Sequence, residues 1–212
     1  DDCLVQKGFA ARKGQIVDAS IVEVPKQRNS REENQAIKHG EVPAWEENKE
    51  RQKDTDARWL KKNGVNYFGY KNHVSTDVKH KLVRKWAVTP VSVHDSQVFE
   101  ELLDKKNSGR GVWADSAYRS EEIEAALKSC HQSHIHHKGY RDHPLSEAKQ
   151  RVNHKRSKTR ARVEHVFGFQ TTSMGGKLIR CVGLTRASHK IGMRNLVYNM
   201  CRYTQLLRLK TA

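Results

Sequence analysis

Two short stretches of this chain place a carboxylate where a β-sheet tolerates it badly. Ile16-Val17-Asp18-Ala19-Ser20 and Val112-Trp113-Ala114-Asp115-Ser116-Ala117 are apolar runs that each reach an Asp and follow it with two small residues. An ionised carboxylate in a sheet interior is costly unless it is paired or metal-bound. Taken singly, each Asp reads as a strand-end residue bonding a turn amide. A third acid changes the reading. Residues 151–212 carry 14 Lys and Arg and a single acid, Glu164, whereas residues 1–150 carry 26 basic and 23 acidic groups. The net charge of +16 on these 212 residues is therefore concentrated at one end. A polyanion is the direct partner of such a segment, because Lys and Arg that neutralise phosphates release counterions. The segment is also too rich in Val, Phe, Leu, Ile, Met and Tyr for a disordered basic tail.

Other classes fall away quickly. No apolar run approaches the ~18–20 residues of a membrane span, and no secretory signal is visible. Cys3, Cys130, Cys181 and Cys201 form no C-x-x-C pair, which suits free thiols in a reducing cytoplasm. His131, His134, His136 and His137 cluster without the Cys or carboxylate spacing of a zinc site, and read as a polar strand edge or phosphate contacts. His94 and Asp95 have no Ser in motif context, so a hydrolase triad is unsupported.

Hydrophobic patterning predicts the elements. Residues 15–24 read as a strand with Asp18 in its middle. Residues 25–66 hold eight acids and ten bases, a polar insertion that docks through Trp45, Trp59 and Leu60. Residues 67–77 and 82–93 read as strands joined by a hairpin at 77–81, the second broken by Pro90. A helix should open at His94-Asp95-Ser96, capped by Asp95 or Ser96, and run to Leu103. A strand at 111–115, a helix at 120–129 and a short strand at 133–137 follow. Residues 138–156 read as loop and 158–170 as a long helix. Met193, Val197, Met200 and Leu207 mark one stripe of a closing amphipathic helix. The order predicts an α/β fold, a mixed sheet covered by helices, in one domain over residues 1–212 whose 151–212 part is basic and helical.

Within that fold, Asp18, Asp115 and Glu164 come from two strands and one helix and can converge at one sheet edge. That arrangement would hold two divalent metals about 3.5–4 Å apart for in-line phosphoryl displacement, and Mg²⁺ prefers such hard oxygen ligands. Arg160 and Glu164 share a helix face. They read either as a surface ion pair or as an arginine that fixes the carboxylate and reaches a phosphate. Lys155, Arg156, Lys158, Arg160 and Arg162 are candidate DNA-backbone contacts, joined by Lys177.

Taken in order, these segments resemble a DDE transposase of the insertion sequence 5 group. The resemblance rests on Val17-Asp18-Ala19-Ser20, His94-Asp95-Ser96-Gln97, Trp113-Ala114-Asp115-Ser116-Ala117-Tyr118, Arg160 through Gly168, and the ending Lys190 through Asn199. It spans roughly residues 12 to 207. It implies an RNase H-like catalytic domain, with Asp18, Asp115 and Glu164 as the triad holding two Mg²⁺ or Mn²⁺ ions. It further implies cleavage and strand transfer at insertion-element ends, with terminal inverted repeats and target DNA as partners. A homo-oligomer associated with the nucleoid is implied as well. A related motif reads Tyr, two residues, Arg, three residues, Glu, six residues, Lys. Here Ser157 and Thr171 occupy its Tyr and Lys positions. The family usually carries N-terminal DNA-binding helices, whereas this chain begins almost at the first catalytic strand, as an N-terminally truncated member would. A catalytically inactive DNA-binding remnant and a structure-specific RNase H-like nuclease are the alternatives.

Overall fold

The computed structural model describes residues 2–140 and 143–211. In chain order the elements are α1 (Asp2–Gln6), β1 (Gln15–Glu23), α2 (Arg31–His39), α3 (Glu47–Glu50), β2 (Arg58–Lys62), β3 (Val65–Asp77), β4 (Val83–Pro90), α4 (Phe99–Leu102), β5 (Gly111–Trp113), α5 (Glu121–Lys128), β6 (Gln132–Ser133), α6 (Glu147–Thr172) and α7 (Leu184–Thr211). The sheet runs β2-β3-β1-β5-β6, with β4 also paired to β3. β1 is antiparallel to β3 and parallel to β5, so the sheet is mixed. No helix is long and apolar enough to cross a membrane among the described residues.

Strand alternation decides which helices each residue meets. Val17 packs with Phe99, Leu102, Val112, Tyr118, Ile123 and Leu127, the core under α4 and α5. Its neighbour Ile16 points the other way, into a core with Val74, Val83, Val163, Val166 and Tyr198, under α6 and α7. Asp18, two residues beyond Ile16, is therefore on the α6 side. The same logic applies to β5, where Ala114 joins the first core and Trp113 packs against the second.

The region 25–66 is more structured than a polar insertion requires. Ser30 and Glu33 form a reciprocal capping box that starts α2. Lys62 and Val65 pair across the Asn63-Gly64 turn of a hairpin. The segment docks through buried Ile37, Ala57 and Asp54, and through Trp59, whose half-exposed ring packs on Phe68 with centroids 4.9 Å apart. The carboxylate of Asp54 accepts the Tyr70 hydroxyl at 2.7 Å and the amide of Ala57 at 2.9 Å.

Three further expectations are corrected. Residues 147–156 are helix, because Ser146 caps α6 and the helix then continues without a break to Thr172. The turn after β4 is a 3₁₀ segment at Asp95–Val98 capped by His94, whose Nδ1 accepts the Ser96 amide, so neither Asp95 nor Ser96 is the cap. The closing helix exists, but Met193, Val197, Met200 and Leu207 face outward. Its buried side carries Ala187, Ile191, Asn195, Tyr198 and Leu206.

Candidate functional site

The parallel register of β1 with β5 builds the site. Gln15 lies opposite Val112 and Ile16 opposite Trp113. Two residues further along each chain stand Asp18 and Asp115, at corresponding positions on the α6 face. Asp18 Oδ1 accepts the Ala19 amide at 2.9 Å. Asp115 ends its strand as the cap of a 3₁₀ turn, accepting the Ala117 amide at 2.7 Å.

A third acid, Asp95, adds to the negative field here. Burial raises the Asp18 carboxyl to about 6, and Asp115 and Asp95 add to the rise, while Arg160 opposes it. The same three acids surround Tyr118, whose phenol is pushed well above its usual range mainly by burial. Its buried hydroxyl has no hydrogen-bond partner. Asp95 is itself held by Lys71 at 2.8 Å, and Lys71 also donates to the Val93 carbonyl. Sequence reasoning treated Asp95 only as a cap and as family text; its signal was the motif His94-Asp95-Ser96-Gln97.

Helix α6 crosses this face. Arg160 Nη1 donates to Asp18 Oδ2 at 2.7 Å, from a side chain 24% exposed to one 16% exposed. The N-terminal half of α6 clasps the strand extension after β6. Asn153 bonds both the amide and the carbonyl of His137, and Arg156 donates to the Ile135 carbonyl. Ser157 Oγ lies 3.4 Å from His136 Nε2. His134 stacks on Trp113 with centroids 4.5 Å apart. Burial lowers the proton affinity of His134, His136 and His137, so these three are held towards neutral imidazole.

The structure distributes the expected site residues unequally. Asp18 and Asp115 meet, with Arg160 upon Asp18. Glu164 is exposed and lines a separate cleft of about 610 Å³ between α6 and α7, with Lys81, His165, Tyr198 and Arg202. Lys155, Lys158 and Arg162 are exposed on α6. Lys177 lies at the far end of β1, where its carbonyl accepts the Glu23 amide.

Asp18 and Asp115 suit a hard divalent cation. They offer oxygen donors, the charges of Asp115 and Asp95 act on the buried Asp18 carboxyl, and the orphaned buried hydroxyl of Tyr118 lies in the field of the same acids. Among the described residues, no group of three or more His, Cys, Asp or Glu is placed to hold a metal.

The family described as Transposase DDE domain matches residues 10–200. The transposase for insertion sequence element IS1106 of Neisseria meningitidis serogroup B is 32% identical over 202 residues, 94% of this chain and 68% of that protein. Among solved structures, the cryo-EM structure of the piggyBac transposase synaptic complex with hairpin DNA superposes with a TM-score of 0.56 at 11% identity. That match covers 94% of this chain and 48% of the other, so the chain spans about half the length of that protein. The likeness is one of fold, and it bears out the RNase H-like mixed sheet flanked by helices.

Proposed function

The chain belongs to the family of transposases with a DDE domain, and from that premise we propose that it cuts insertion-element ends and joins them to target DNA. The observation that carries this reading is the register of β1 and β5, two interior strands of the sheet, which brings Asp18 and Asp115 to corresponding positions just beyond the end of β5. In this proposal Asp18, Asp115 and Glu164 are the carboxylates that hold two Mg²⁺ or Mn²⁺ ions. Bound there, the cations would supply an activated water and countercharge for the leaving oxygen.

The chain's own residues do the positioning. The Ala19 and Ala117 amides orient the two Asp side chains, each through one carboxylate oxygen. Arg160 holds the second oxygen of Asp18, so sharing a cation with Glu164 requires Arg160 to release it. Once released, the guanidinium is free to contact a strand phosphate. Lys155, Lys158 and Arg162 contact the backbone without reading sequence, with Arg156 and Lys177 as further contacts. A homo-oligomer associated with the nucleoid belongs to the same proposal.

The test is Mg²⁺-dependent nicking of a terminal-repeat duplex by the full-length transposase, followed by strand transfer. Asp115→Asn should abolish both steps; activity surviving that change would refute the assignment. Cutting without any joined product would indicate a nuclease instead. A second reading, DNA binding without catalysis, is favoured by one observation: Glu164 lines a cleft apart from the two Asp residues. Salt-sensitive binding with neither cleavage nor Mn²⁺ uptake would support it.

A further inference from the structure

The hairpin turn between β3 and β4 is largely buried and tied down by many hydrogen bonds. Buried Asp77 accepts the amides of His80 at 2.7 Å and Leu82 at 3.2 Å. Three of the turn's carbonyls are taken by side chains from the two long helices. Arg162 of α6 donates to Val78 at 2.6 Å, Arg202 of α7 donates to His80 at 2.9 Å, and the Tyr198 hydroxyl donates to Lys81 at 2.8 Å. Lys81 itself sits at φ 61, a left-handed conformation that strains a non-glycine residue. Such strain persists only where the surroundings over-determine it.

This framework places Lys81 and Arg202 on the lining of the cleft between α6 and α7, with Arg162 close enough to Lys81 to act on its charge. Burial lowers the proton affinity of the Lys81 amine, and the charges of Arg202 and Arg162 lower it further. Repulsion of this kind opposes folding and is relieved by an anion. The facing wall is open, since nothing lies within 4 Å of where a side chain at Gly168 would begin. Glu164 lines the same cleft, one helical turn from Arg160 and hence from Asp18.

We propose that Lys81, Arg162 and Arg202 form a phosphodiester-binding subsite for a DNA strand running along the cleft beside Glu164. This rests on the reading that the chain acts on DNA, and it adds Lys81 and Arg202 to the contacts expected from α6. A strand fits better than a small anion because the cleft is open and continuous with the helix that carries Arg160. Lys and Arg contacts of this kind set affinity and position, and leave sequence unread.

The experiment is fluorescence anisotropy of the chain with a labelled duplex across a salt series. Lys81→Gln is compared with Lys38→Gln, an equal loss of charge on α2. Lys81→Gln should weaken binding several-fold more than Lys38→Gln and lower the salt slope by about 1. Arg202→Gln should do the same, with its fold checked by circular dichroism because Arg202 also anchors the turn. Equal affinities and slopes for Lys81→Gln and Lys38→Gln would overturn the subsite while leaving the DNA-binding reading intact. Failure of the unaltered chain to bind DNA at low salt would overturn both. Inorganic phosphate at constant ionic strength should displace DNA from the unaltered chain more readily than from Lys81→Gln, and equal displacement from both would contradict the subsite.

Discussion

At the scale of single residues, Asp18 is the most exacting position. Its carboxyl is raised to about 6 in the folded chain, against an unfolded value near 4. The folded state thus binds this proton more tightly than the unfolded chain does. Stability from this residue is present below about pH 4 and lost as pH rises through 6. Asp18→Asn should therefore stabilise the metal-free protein above pH 6, by on the order of 2–3 kcal/mol, with the gain vanishing near pH 4. Thermal melts of the two forms between pH 4 and 8 check this. His73 carries the opposite sign. Burial lowers it to about 4, and its ring meets Thr89 Oγ1 at 2.8 Å. Its contribution is present above the ordinary imidazole range and lost as pH falls through 4, so chemical denaturation should show lower stability at pH 4 than at pH 7, a dependence that His73→Gln flattens.

At the scale of elements, α7 is attached by polar as well as apolar contacts. Buried Asn195 accepts Nδ2 of Asn72 at 3.0 Å and Nε2 of Gln170 at 2.8 Å, and donates to Asn72 Oδ1 at 3.1 Å. Asn195→Ala should strand two buried amides and cost about 2–4 kcal/mol, measurable by urea denaturation. One turn before it, Gly192 lies so close to Trp86 that an added Cβ would meet the ring at 2.5 Å. Such contacts explain why the face of α7 was illegible. Apolar residues lie all round the helix, and the buried side includes Asn195, which no hydrophobic pattern would choose. The start of α6 was hidden for a related reason, because its polar, basic first turns are stabilised by Ser146 and by the clasp on residues 135–137. By contrast, β1, β3 and the hairpin stood out, since their residues alternate or are β-branched and their turns are short. Asp18 and Asp115 were legible because they interrupt apolar strands. Asp95 was not, because its importance comes from which acids the fold sets beside it.

At the scale of the whole molecule, the charge asymmetry is carried mainly by two long helices. Binding to duplex DNA should accordingly be dominated by phosphate contacts, with affinity falling on the order of 10³-fold between 50 and 200 mM salt. Anisotropy titrations at a series of salt concentrations measure this, and a salt-independent affinity would contradict it. Helix α6 crosses the face of the sheet that carries Asp18, so DNA held on α6, as proposed, would lie near Asp18 and Asp115. In that arrangement Glu164 shares α6 with Arg160 but lines the neighbouring cleft. Electron paramagnetic resonance of Mn²⁺ bound to the chain in the presence of terminal-repeat DNA tests the point most directly. Asp18→Asn, Asp115→Asn and Glu164→Gln should each weaken Mn²⁺ binding at least tenfold. Undiminished Mn²⁺ affinity in Glu164→Gln, with loss in the two Asp variants, would contradict a shared three-carboxylate centre.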